Sequence, residues 1–156
     1  MKDNLNSHVR INSVTALYSA ALLLFTSPAH GELFRAASLK PGGTGMDIIL
    51  QEVERRPASS VVDIKINRIG SSVGSSFFLL CSLRTMAQAR GGYRYIAKIE
   101  EFPARHQMLV AFLKAPDADP ADADPAFARS SRPAEVIDLE QFAPICDMQQ
   151  KGNGAQ

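Results

Sequence analysis

The stretch Val61-Val-Asp-Ile-Lys-Ile-Asn-Arg-Ile-Gly-Ser-Ser-Val-Gly-Ser-Ser-Phe-Phe-Leu-Leu-Cys-Ser-Leu-Arg-Thr-Met-Ala-Gln-Ala-Arg-Gly-Gly-Tyr-Arg-Tyr-Ile-Ala-Lys-Ile99 changes its hydrophobic period twice, and those changes decide the fold. From Val61 to Ile69, Val62, Ile64 and Ile66 alternate with Asp63, Lys65 and Asn67, which is the two-residue period of a half-buried strand. After the turn Gly70 to Ser76 the spacing widens. At 100° per residue Leu79, Leu80, Leu83, Met86 and Ala87 share one side of a helix running from about Ser75 to Arg90. A serine of the turn caps its start, and Gly91-Gly92, which tolerate left-handed backbone, end it. Alternation returns between Tyr93 and Glu101, so the order is strand, helix, strand.

Downstream, His106 to Lys114 is apolar on both faces, as an interior strand should be, and Phe102-Pro103 turns the chain into it as an antiparallel neighbour. The expected class is therefore α+β, in β-α-β-β order, with one long helix laid on a small, mainly antiparallel sheet. A right-handed crossover makes the first two strands parallel if adjacent, or leaves room for a third between them. Upstream, Met46, Ile49, Leu50 and Val53 fall at helical spacing in Met46 to Arg56, so a short helix is expected there. A strand using Met46, Ile48 and Leu50 is the competing assignment. Glu32 to Gly45 reads as a flexible lead-in, and the near-repeat Asp117-Ala-Asp-Pro-Ala-Asp-Ala-Asp-Pro125, continued to Pro133, reads as an acidic surface loop. Glu135 to Leu139 is expected as a last strand, Glu140 to Met148 as a covering segment, and residues 149–156 as a disordered tail.

The amino-terminal end has the pattern of an export signal. Lys2 and Arg10 precede an uncharged, mostly apolar run from Ser13 to Phe25, and Pro28 and Ala29-His30-Gly31 follow, with small residues at the two positions a signal peptidase reads. Cleavage is expected after Gly31. Thirteen helical residues span roughly 20 Å, short of the roughly 30 Å hydrocarbon core, so a membrane anchor is disfavoured. No cysteine lies near the cut to accept a lipid. Losing residues 1–31 takes Lys2, Arg10 and Asp3 from 17 basic and 16 acidic residues, leaving a formally neutral chain. Neutrality argues against nucleic acid and against capture by anionic lipid, and no stable membrane insertion is expected once the signal is gone. Export also makes Cys81 and Cys146 read as a disulfide, with a free reactive thiol as the alternative.

Candidate sites are few. Arg68, Gly70, Ser71, Ser72, Gly74 and Ser75 lie between a strand and a helix, where backbone N–H groups can hold an anion or small ligand, although the Lys-Ser/Thr of a phosphate loop is missing. Phe77 and Phe78 point away from the expected sheet side and form a candidate partner face, with Phe142, Ile145 and Cys146 as candidate cover. The aspartate repeat lacks the glycine and glutamate spacing of a calcium loop. After cleavage His106 is the one histidine left, which excludes a histidine-rich zinc site, and no Gly-x-Ser-x-Gly elbow supplies a strained serine. Neither cofactor nor metal is expected.

The segment from Cys81 through Gly91-Gly92-Tyr93 to Ile96, set within Val61 to Glu101, resembles small bacterial envelope proteins, often lipoproteins, in which a strand leads into an alanine-bearing helix that ends in Gly-Tyr and is followed at once by a strand. The resemblance implies a fold and an address in the bacterial envelope, and no catalytic residues; the expected location is periplasmic or extracellular. The functional expectation is a periplasmic, non-catalytic module that binds an envelope protein or a small ligand. The alternatives are a hydrolase using His106 with a serine and a purely structural envelope protein.

Overall fold

The computed structural model describes residues 31–39, 45–131 and 134–154, with side chains to Met148. The expected signal therefore lies outside the described residues apart from Gly31. Six strands form one sheet: β1 (Arg35–Ala37), β2 (Asp47–Arg55), β3 (Ser59–Arg68), β4 (Tyr95–Glu100), β5 (Gln107–Leu113) and β6 (Val136–Asp138). Their spatial order is β1-β2-β3-β5-β4-β6, and every neighbouring pair is antiparallel. Among the described residues three α-helices accompany them, α1 (Ser72–Ala89), α2 (Pro120–Ala123) and α3 (Ala143–Gly154).

The mixed α+β class stands, while the expected order does not. Two strands precede β3, and three helices replace the single one. β5 is inserted between β3 and β4, so these two run parallel without touching. Where a short helix was expected over Met46 to Arg56, the chain forms the strand β2 from Asp47 to Arg55. Ile48, Leu50 and Glu52 share its buried side, and a register shift between Glu52 and Glu54 leaves Val53 exposed. That bulge breaks the alternation and imitates helical spacing. The lead-in contributes β1 at the sheet edge, and α3 continues through the expected tail to Gly154.

Alternation along β5 divides the core. Met108, Val110 and Phe112 face α1 together with Leu50, Val62, Leu83, Met86, Ala87, Ile96 and Leu139. Leu109, Ala111 and Leu113 face the other way, with Val61, Ala97, Ala126 and Phe127. The second layer corrects the acidic-loop assignment. Asp119 caps α2 by accepting from the Ala121 amide at 2.9 Å, and a 3-10 turn at Phe127–Arg129 seats Phe127 on the sheet. Alanines at 118, 121 and 123 do the covering in place of large side chains. β5 and the strands beside it are thus covered on both faces, as the composition of β5 requires.

Candidate functional site

The structure places the sequence-derived candidates as follows. Cys81 and Cys146 form a disulfide with an S–S distance of 2.04 Å and a Cα–Cα distance of 5.2 Å, fastening α3 to α1. In the 68–76 loop the helix starts earlier than expected, at Ser72, with Ser71 as its cap: the Ser71 Oγ accepts from the Gly74 amide at 3.0 Å. The Ser75 hydroxyl donates to the Ser71 carbonyl at 3.0 Å, and the Arg68 guanidinium donates to the Gly45 carbonyl at 3.0 Å. Gly70 lies against Met46, so close that a Cβ there would stand 3.2 Å from the Met46 Cβ. Much of the loop's polarity is engaged in building the helix start. Phe77 and Phe78 are half-buried. Below them Arg84 is buried on the α1 surface and reaches Glu140 at 3.3 Å and Asp147 at 3.1 Å, which reinforces the disulfide contact.

Two ionic clusters at the β2–β3 turn were missed by sequence reasoning. In a regular strand residues three apart lie on opposite faces, but the bulge at Val53 brings Arg55 to the side of Glu52, whose carboxylate it meets. Glu52 has no solvent exposure. Its carboxylate accepts from Arg55, from Arg90 at 2.8 Å, from the Ser60 hydroxyl at 2.6 Å and from the Phe34 amide at 3.0 Å. Burial alone would push this carboxyl up. The bonds from Arg55, the Phe34 amide and Ser60, with the charge of Arg55, outweigh it and hold the pKa at about 2. Arg90, at the end of α1, also donates to the Arg56 carbonyl and stacks over Phe112 at 5.0 Å.

On the opposite face Asp124, from the segment read as a solvated loop, is buried and accepts from Arg56 at 2.6 Å, Ser59 at 2.8 Å and the Ala126 amide at 2.9 Å. Burial pushes its carboxyl up, and these three donors bring it below the usual carboxylate range. A signal was present in the sequence: consecutive arginines before a turn and consecutive serines after it supply one donor of each kind to each face of the sheet. Among the described residues no buried side-chain polar atom lacks a partner, so these clusters are closed structural anchors.

Open space lies at the other end of the sheet. A cleft of about 660 Å³ runs between α1 and the β4–β6 edge, lined by Leu79, Leu80, Leu83, Met108, Ile137 and Phe142. A second, of about 490 Å³, is lined by Ile99, Phe102, Ala126 and Arg129. The two adjoin, sharing Lys98, Glu100 and Glu135. Lys98 pairs with Glu100, while Arg94 is fixed to Asp138 by bonds of 3.0 and 2.7 Å and holds that carboxyl below its ordinary range. The groove has an apolar floor and a polar rim, the composition of sites for ligands with an apolar body.

His106 is exposed with a φ of 67°, and its carbonyl accepts from the Ile64 amide at 2.8 Å. Its ring makes no hydrogen bond to a serine or carboxylate among the described residues. Among the same residues no cluster of His, Cys, Asp and Glu is arranged to hold a metal, and no helix is long and apolar enough to cross a membrane. The disulfide and the lack of such a helix are compatible with an exported protein. Comparison with protein-family models, with curated proteins and with solved structures found no match.

Proposed function

We propose that the chain is an exported, periplasmic, non-catalytic module that binds a small ligand or a protein segment with an apolar body in the groove between α1 and the β4–β6 edge. The groove carries the proposal. In it apolar side chains line open space beside the sheet, and its volume falls in the range usual for small-molecule sites. The disulfide supports the address, since such bonds persist in oxidising compartments. The charged anchors at the far end contribute rigidity, holding α1 against the sheet so that the groove keeps its width.

Leu80 lines the groove and lies outside the two packed cores, which makes it the residue to change. Titration with the apolar fluorophore 1-anilinonaphthalene-8-sulfonate should show saturable binding to the native protein. Leu80→Glu should weaken that binding at least tenfold with little change in thermal midpoint, whereas Phe77→Asp should leave it intact. A native protein that takes up no dye would favour the structural envelope protein. Loss of binding in Phe77→Asp with Leu80→Glu unaffected would move the site to the outer helix face.

A further inference from the structure

We propose that the groove between α1 and the β4–β6 edge takes a small cationic amphiphile, a molecule with an apolar body and a single ammonium or guanidinium head, and that Glu135 receives the head. The proposal rests on the groove reading above and deepens it by naming the class of ligand. Glu135 lines both clefts and stands where they adjoin. It is exposed, and among the described residues it makes no hydrogen bond and no ion pair.

The other charges of the first cleft are already engaged. Alternation along β4 puts Lys98 and Glu100 on the same side as Ile96, which faces α1, and the Lys98 ammonium is paired with the Glu100 carboxylate. Asp138 accepts two bonds from Arg94 and a third from the Glu140 amide at 3.1 Å. Each of these pairs is neutral, so the charge left over in the cleft is the carboxylate of Glu135. The second cleft adds Glu101 and Arg129, one charge of each sign, and does not alter the balance.

An anionic head has no comparable seat. Lys98 would have to leave Glu100, and Glu135 would repel the newcomer. The positive end of α1 offers little in exchange, because its field is confined to the first turn, where the Gly74 amide donates to the Ser71 hydroxyl and the Ser75 amide to the Ser71 carbonyl. The groove meets the helix only from Ser76 onward. A cationic head, by contrast, would lie beside an unpaired carboxylate while its apolar body covers Leu79, Leu80 and Ile137. Adjoining clefts of about 660 and 490 Å³ have the size of small-molecule sites, which makes the occupant a small molecule instead of a protein segment.

Isothermal titration calorimetry of the purified protein with octylammonium, octanoate and octanol, which share one alkyl chain and differ in head charge, tests this. Octylammonium should bind about fivefold tighter than octanoate, with octanol between them, as expected when the sign of one exposed charge contact is reversed. Added salt should shrink that preference. Glu135→Gln should bring the two ions within about twofold of each other while leaving the affinity for octanol unchanged, and Glu135→Lys should reverse their order. Equal binding of the two ions by the native protein, or a preference that survives Glu135→Gln, overturns the proposal and leaves the groove reading standing. Tighter binding of a short apolar peptide carrying one lysine than of octylammonium would make the occupant a protein segment and overturn it as well. Failure of all three octyl compounds to bind overturns the groove reading and the proposal with it.

Discussion

A carboxylate with no solvent exposure, in line with Ile48 and Leu50, is the most demanding residue in the molecule. Glu52 is tolerable because four donors meet it and because the bulge at Val53 brings Arg55 to its own side. Glu52→Ala removes the acceptor and leaves Arg55 and Arg90 facing each other, so a loss of about 3–5 kcal/mol is expected in urea unfolding. The pH dependence has a defined sign. A folded pKa of about 2 lies below the ordinary value of 4.5, so the contribution of Glu52 is complete above pH 4.5 and declines as pH falls toward 2. An acid titration of thermal midpoint should show that decline in the native protein and a shallower one in Glu52→Gln. Sequence alone did not reveal this residue. Period-two reading has no place for an inserted residue, and placed on a helix Glu52 looks solvated.

At the scale of elements, the change of period from Val61 to Ile99 identified β3, α1 and β4 from side-chain spacing, although β3 buries Val61 as well as Val62 and leaves Ile66 exposed, and β4 buries Ile96 and Ala97 alike. β2 failed for a local reason. Its apolar residues include one bulged out to solvent, Val53, and the pattern that results fits a helix as well as a strand. The start of α1 was displaced because several serines could cap it, and the one that does is Ser71, which accepts from the Gly74 amide. The covering of α1 by the carboxyl-terminal segment was legible from two phenylalanines and a cysteine on its outer face, whereas Arg84 and its partners Glu140 and Asp147 were not. The covalent link closes a loop across a sequence separation of 65, which stabilises by roughly 4 kcal/mol in the chain-entropy view. Replacing Cys81 and Cys146 together by alanine should lower the urea midpoint accordingly. Reductant should do the same to the native protein and nothing to the double variant.

For the whole molecule, the lesson lies in the aspartate-rich segment. Its composition has little hydrophobic bulk and resembles a solvated loop, yet it forms the second covering layer of the sheet. Small alanines lie against Leu109, Ala111 and Leu113, and Phe127 supplies the one large side chain. The apolarity of β5 on both faces had already demanded such a cover, and only the identity of the cover was hidden. Phe127→Ala should therefore cost about 3–5 kcal/mol and raise dye uptake on the newly uncovered face, an outcome that a surface loop would not give. The groove was equally hidden, because it is a property of how α1 and β6 diverge over the sheet and no residue pattern encodes it.

The Cys81–Cys146 bond has a further consequence, in how the molecule would carry mechanical load. A pull applied to its two ends would bypass every residue between the two sulfurs, so β4, β5, β6 and the aspartate segment would feel no tension along the chain. The strain would fall on β1, β2, β3 and the first half of α1, which would peel away from the shielded ring at the β3–β5 seam. About 220 Å of extended chain would stay withheld, at roughly 3.4 Å for each of the 65 residues spanned, until the covalent link is reduced. In that state the amino-terminal hairpin would be the part that yields, and the half of the sheet carrying most of the groove would be the part that endures.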